Sequence, residues 1–456
     1  MSKMKAGQLP ILISSCLGFL VVQLDVSVVN VGLAALKKAF DTDLTGLQWV
    51  INSYALVFSA LLILGGMLGD KYGPKSIFAW GFSIFTLASI GCGLASSMGM
   101  LITLRGLQGM GAALLVPTSL TLIRLTFEDL NNRRTAVAMW GACGGIALAA
   151  GPVLGGVLIQ RFGWQSVFLI NIPIGLIAIT LILRFAPAYK RVEKKIDSVG
   201  QLTIAIAIAA LTYALTESSG QGWTALPSAA LAIAVLFMVI FIAAEKHVSA
   251  PMLPTRLVKN KVLVAMCLSG AVINMVFYGT VFDLSLYFQT IKGYDSFKTG
   301  LSFIPLTAVL TISTMISSRV ARRVSAIRII TIGFTVQIAG FLMLSQLSAH
   351  TSLWLLNGAL ILVGMGSAMS VPSVTNTMLT SVSQQDAGIS SGLMASARQL
   401  GGVIGVAIFG SLITHVDIML FSQGMSKAML LSAIALLFCI VFNLWMTRCM
   451  PKDVRA

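Results

Sequence analysis

Apolar runs of membrane-crossing length recur along this chain, separated by short polar breaks. About 18–20 consecutive apolar residues suffice to carry an α-helix through a bilayer. Fourteen such spans are expected, at about 10–34, 48–69, 77–96, 99–123, 137–159, 166–186, 198–216, 228–245, 262–289, 298–318, 328–347, 352–379, 387–412 and 428–447. The loops between them are too short for an added soluble domain. An even number of crossings returns both termini to one side.

The pattern also repeats. Residues 109–117 read GMGAALLVP and residues 364–372 read GMGSAMSVP, sharing G-M-G-x-A-x-x-V-P. AVAMWGACGG from Ala136 and AGISSGLMAS from Ala387 share Gly141/Gly392 and keep Gly151 in step with Gly402, while LDVSV at 24–28 meets FDLSL at 282–286. The copies stay about 251–258 residues apart. Two six-helix bundles are therefore expected, at 1–190 and 261–456, with an extra helix pair in the 191–260 segment between them. The fold class is an all-α polytopic membrane protein. Duplicated halves with a binding site near the midplane are a transporter architecture.

Composition agrees. The chain is 57% hydrophobic and only 10% charged, where a soluble protein carries roughly 25% charge. A net charge of +16 raises nucleic-acid binding as an explanation, but placement removes the need for it. Threading the spans alternately puts roughly 23 of the Lys and Arg residues on one face and about 6 on the other, as the positive-inside rule requires. That face, with both termini, is expected to be cytoplasmic. The start, MSKMK followed by an apolar run, imitates a signal peptide, and ISSC at 13–16 imitates a lipoprotein cleavage box. The run continues well past both, and reads as an uncleaved first helix.

The chemistry that could work inside the membrane is sparse. Six cysteines (Cys16, Cys92, Cys143, Cys267, Cys439, Cys449) lack metal spacing, and His247, His350 and His415 fall in loops or at span ends. No cofactor or metal is expected, and a membrane enzyme or electron carrier has no residues to stand on. Of 15 acidic residues only Asp25 and Asp283 lie well inside spans, both in the pattern D-x-S and at matched positions of the repeat. Two bases share the interior, Arg105 and Arg398. An intramembrane ionisable group is expensive and points to function; each acid could equally be the permanent partner of a buried base. Arg105 sits at a depth that Asp25 could share. Glu217, at the outer end of its span, fits an interfacial place as well as a functional one. Tyr54, Trp140, Tyr278 and Tyr287 offer aromatic faces to a cation, or simply pack.

Three glycine-rich stretches carry further information. In GGMLGDKYGPK at 65–75, Gly69 and Gly73 permit a tight turn, and Asp70 can meet a basic group or a helix N-terminus. In AAGPVLGG at 149–156, Gly151, Gly155 and Gly156 make close-approach faces and Pro152 bends the helix. LRGLQGMGAALLVP at 104–117 holds Arg105. These three resemble the signatures of the major facilitator superfamily. LDVSVVNVGL, FGWQSVFLINIPIG at 162–175 and SSGLMASARQLGGVIGVAIFG at 390–410 resemble its fourteen-helix drug:proton antiporter branch. The resemblance implies a gating loop at Gly66, Gly69, Asp70, Lys71 and Gly73, with Pro74 standing where the family usually has Arg. It implies an exporter for the motif Gly151, Pro152, Gly155, Gly156, although Ala147 replaces the usual upstream glycine. It also implies a proton-transfer role for Arg105. In the second half Arg322 stands where Asp70 maps.

The expectation is a proton-coupled efflux transporter exporting lipophilic, cationic drugs or antiseptics, with no enzymatic activity, in a bacterial inner membrane and working as the monomer usual for the family. A cavity carboxylate binds a proton or a cationic substrate but poorly both, which is the logic of antiport; Asp25 and Asp283 are its candidates, with Arg105. Arg398 is expected to be buried and paired. A transporter of the same fold, specific for one metabolite, is the alternative.

Overall fold

The computed structural model describes residues 7–187, 189, 197–247, 255–310, 324–348, 351–383, 386–413 and 418–447. Several expectations fall outside them: the basic residues of both termini, residues 311–318 of the tenth span, Arg322, His350, His415 and Cys449. Among the described residues all regular structure is helical. Thirteen helices are long and apolar enough to cross a membrane, and Ser296–Leu310 is a shorter apolar helix.

The apolar helices are α1 (Gln8–Val31), α2 (Leu44–Tyr72), α3 (Pro74–Gly93), α4 (Met98–Thr126), α5 (Leu130–Phe162), α6 (Asn171–Phe185), α7 (Ser198–Gln221) and α8 (Ala225–Glu245). They continue as α9 (Lys261–Leu286), α10 (Ser296–Leu310), α11 (Ala326–Leu344), α12 (Leu353–Thr380), α13 (Ala387–Leu412) and α14 (Ile418–Thr447). Their starts follow capping chemistry. Asp43 accepts from Gly46 N at 2.9 Å, Ser97 from Met100 N at 3.2 Å and Asp129 from Asn132 N at 2.8 Å, each satisfying an orphan amide of a first turn. Between α2 and α3, Gly73 adopts φ 96°, which a side chain would resist, and Pro74 opens α3 at the position where its missing N–H is harmless.

The chain divides into two compact units, one of residues Met1–Ala205 with Asp295–Gly300, the other of Ile206–Tyr294 with Leu301–Ala456. In the first unit α1 packs on α5 and α6, α4 on α2 and α3, and α3 on α6. In the second, α9 packs on α13 and α14, α12 on α11, and α11 on α14. Four of the first unit's five pairings recur between the corresponding helices of the second unit.

The repeat extends to single contacts. A side chain added at Gly81 would strike Gly111 O and one at Gly111 would strike Gly81 O; Gly333 and Gly366 stand in the same relation. Likewise Gly109 abuts the carbonyl of Tyr54, and Gly364 that of Leu306. Lipid tails give no hydrophobic drive for helices to associate, so small residues that let backbones touch hold such bundles together. The lipid-compatible surface is conspicuous on α8, where Leu226, Val235, Leu236 and Val239 are all exposed.

Candidate functional site

Asp25 lies on the face of α1 turned toward α3, α4 and α6, and is 1% exposed. Its carboxylate is fully engaged. Oδ2 forms an ion pair with Arg105 Nη1. Oδ1 accepts from Gln108 Nε2 and from Asn171 Nδ2, both at 3.2 Å. Ser89 on α3 ties the same two amides together, its Oγ accepting from Gln108 Nε2 at 2.7 Å and from Asn171 Nδ2 at 3.2 Å. Arg105 in turn donates through Nη1 to Gln108 Oε1 at 2.9 Å and through Nε to Val50 O at 3.0 Å. Its guanidinium stacks 4.5 Å from the Tyr54 ring centroid and 5.8 Å from that of Phe168. A charge pair this deep is tolerated only when the remaining donors and acceptors are satisfied, and five helices contribute to satisfying this one.

The sequence singled out Asp25 and Arg105 but not Gln108, Asn171 or Ser89. Gln108 follows Arg105 by three residues, hence on the same helix face, and that spacing was a usable signal. Asn171 and Ser89 announce themselves only as polar residues in apolar spans.

The glycine motif of α5 sets the opposite face of α1. A side chain at Gly151 would meet Ser27, and one at Gly155 would meet Val28 and its carbonyl. Ser27 Oγ also donates to Leu148 O at 2.8 Å. Two residues along a helix from Asp25, Ser27 points away from the carboxylate, so α5 fixes the rotation of α1 that presents Asp25 to Arg105. Further along α5, Gly156 abuts the backbone of Ser296 and Phe297, and Gly300 abuts Pro152 O. Gly151, Pro152, Gly155 and Gly156 thus form a contact face.

In the α2–α3 loop region, Gly66 lies near Pro117 and Gly69 near Thr118 of α4. Lys71 lies 5.3 Å from the Tyr72 ring centroid, and Asp70 is only partly buried. Lys75 Nζ donates to Leu183 O at 2.9 Å and Ala186 O at 2.6 Å, placing a cation on the unsatisfied carbonyls that end α6.

The second unit treats its acid and base differently. Asp283 is 0% exposed, and neither carboxylate oxygen has a hydrogen-bond partner among the described residues. Register explains why. In the alignment of the shared G-M-G-x-A-x-x-V-P word, Arg105 corresponds to Leu360 and Gln108 to Val363; in that of the Gly81 and Gly333 contacts, Ser89 corresponds to Phe341. All three substitutes are buried and apolar. One turn earlier, Gly279 lies against the Phe409 ring and Thr280 Oγ1 reaches Met429 Sδ at 3.9 Å. A π-helical turn, Tyr287–Ile291, follows Asp283 closely.

Arg398 is half-buried rather than buried, and it has no acid partner among the described residues, against the sequence expectation of a buried, paired base. The carboxylates that could have paired with it are elsewhere: Asp283 sits on a different face of α9, and Asp386 pairs with Arg256 at 2.5 Å.

The aromatic candidates separate in the same way. Tyr54 is buried under Arg105. Trp140 stacks on Phe19 at 3.9 Å and donates to Ser119 Oγ at 3.0 Å. Tyr287 is 1% exposed and donates to Ser348 O at 2.8 Å. Tyr278, half-buried like Trp140, has its ring against Gly402. Among the described residues no cluster of His, Cys, Asp and Glu could hold a metal ion.

A duplicated helical membrane bundle with a charge pair sealed in one half defines a polytopic transporter class. The family model of the Major Facilitator Superfamily matches residues 15–406, and the chain belongs to that family. It is 32% identical over 394 residues to the methylenomycin A resistance protein of Streptomyces coelicolor, covering 86% of this chain and 83% of that one. It is 34% identical over 415 residues to the multidrug resistance protein Stp of Mycobacterium tuberculosis, covering 90% of this chain and 76% of the relative. Among solved structures, a bacterial homologue of the human lysosomal transporter Spinster superposes with a TM-score of 0.69 over 99% of both chains at 16% identity, a likeness of fold.

Proposed function

We propose that this protein is a proton-coupled efflux transporter for lipophilic small molecules, working by alternating access between two six-helix halves. The observation that carries the reading is the sealed Asp25–Arg105 pair in a chain whose relatives over most of their length are named resistance proteins. An acid held by a base and two amides is poised for exchange: protonating Asp25 releases Arg105, and re-forming the pair expels the proton. Each inward proton would supply roughly 2.3 kcal/mol per 100 mV of membrane potential.

In this reading the 65–75 loop latches the first half, and the Gly151–Gly156 face of α5 holds α1 in register. The basic face of the chain is cytoplasmic, in a bacterial inner membrane, and the monomer is the working unit. Asp25 and Arg105 couple protons, and Asp283 supplies a second protonatable group.

The test is export from proteoliposomes under an imposed pH gradient, with ethidium as the lipophilic probe. Wild type should accumulate or expel the dye in step with the gradient, and Asp25→Asn should lose that response while still inserting. A mutant whose flux follows the gradient like wild type would make the pair purely structural.

A further inference from the structure

Arg398 stands halfway along α13, in the middle of a membrane span, and is half-buried. Its aliphatic stem lies along Gly270, where a larger residue would displace it. Its Nε donates to Asn274 Oδ1 at 3.3 Å, which leaves the amide nitrogen of Asn274 without an acceptor among the described residues. Tyr278, one turn further along α9, lies on the same helix face as Gly270 and Asn274, and its hydroxyl has no hydrogen-bond partner among the described residues. Gly402, one turn beyond Arg398, receives the Tyr278 ring. Both terminal nitrogens of the guanidinium are likewise unpaired among the described residues.

Three groups on two packed helices therefore hold donors without partners among the described residues, along the seam where Gly270 and Asn274 of α9 meet Arg398 and Gly402 of α13 meets the Tyr278 ring. The charge balance has the same sign. Asp25 is neutralised by Arg105 and Asp283 is wholly enclosed, whereas Arg398 is only half-buried and has no acid partner among the described residues. A mid-membrane base without an acid is costly unless something compensates it. A guanidinium presents its donors as a planar fork that fits a carboxylate at two points.

We propose that Arg398, Asn274 and Tyr278 form a binding site for the carboxylate of lipophilic organic acids, which rests on the efflux reading for its place in transport. The site gives the transporter an acidic substrate class beside the lipophilic cations that intramembrane carboxylates alone would suggest.

The test is equilibrium binding of 1-pyrenebutyrate and of its methyl ester to the full chain in dodecyl maltoside, read by pyrene fluorescence. Wild type should bind the acid about tenfold or more tightly than the ester, the scale of a charge-assisted pair. Arg398→Gln should abolish the difference, Arg398→Lys should keep part of it, and Tyr278→Phe should weaken acid binding without touching the guanidinium. Melting curves of each variant separate a lost site from a lost fold. Equal affinity for acid and ester in wild type, or an undiminished difference in folded Arg398→Gln, would overturn the proposal. Displacement of the acid by phosphatidylglycerol at equal concentration would also overturn it, assigning the site to a lipid headgroup. Ethidium export is scored separately: export without acid preference sinks this site alone, and acid preference without any export sinks the efflux reading alone.

Discussion

Arg105 spends its guanidinium on two different helices at once, Nη1 on Asp25 of α1 and Nε on the Val50 carbonyl of α2. Removing either charge leaves the other buried with nothing to balance it, a loss of about 3–5 kcal/mol in comparable pairs. Asp25→Asn and Arg105→Gln should each lower the melting temperature in detergent markedly. The double variant removes both charges and should be less damaged than the sum of the two. Thermal unfolding of the four proteins, followed by tryptophan fluorescence, measures the coupling directly; strict additivity would mean that the pair carries no net interaction.

Most of the fold was legible in the sequence because the bilayer leaves few choices. Backbone groups in lipid must bond internally, so apolar runs become helices, and the repeat predicts which helices pack together. Gly81 and Gly333 illustrate the depth of that repeat, each meeting its partner glycine across the same helix pair. The site was legible only in part. Matched D-x-S words marked Asp25 and Asp283 as equivalents, yet their surroundings differ because three partners on other helices changed from Arg105, Gln108 and Ser89 to Leu360, Val363 and Phe341. An acid's own helix says nothing of what faces it. The pairing of Arg398 failed for the same reason: a base and an acid on packed helices still miss when they occupy different faces.

Gly155 of the antiporter motif should tolerate nothing larger. An added methyl would meet Val28 and its carbonyl on α1, and such overpacking costs roughly 1–3 kcal/mol. Gly145, earlier on the same helix, has open space where its side chain would be. Gly145→Ala should be neutral or gain up to about 1 kcal/mol from helix propensity, whereas Gly155→Ala should destabilise the protein and impair ethidium export. Paired melting and transport measurements on the two alanine variants decide it. Equal tolerance would show that α5 and α1 can separate freely.

Tyr189, after α6, reaches the C-terminal end of α4. Its hydroxyl lies 2.9 Å from Thr126 Oγ1. Burial pushes its pKa above the usual 10.0, opposed by the hydrogen bond to Thr126. A raised folded-state pKa means that the folded protein holds this proton more tightly than the unfolded chain does. The stabilisation is fully present below about pH 10 and is lost as pH rises through the folded value. Wild type should therefore lose stability above about pH 10 faster than Tyr189→Phe does, a difference read from melting temperatures across an alkaline series. Parallel curves would show that the phenol is hydrated as freely in the folded protein as in the unfolded one.

Asp283 should behave in the opposite way to Asp25 when it is made apolar. Its carboxyl makes no hydrogen bond among the described residues, and the residues that correspond to Asp25's partners are Leu360, Val363 and Phe341, all buried. Burying a polar group without a partner costs free energy that an apolar replacement recovers. Asp283→Leu should leave the melting temperature unchanged or raise it, while Asp25→Leu should lower it severely by stranding Arg105. If Asp283 also carries an exchangeable proton, the same leucine variant should lose gradient-driven export while it gains stability, the trade expected of a residue kept for function against the interest of the fold. Early melting of the Asp283→Leu variant would instead place a partner beside the carboxyl.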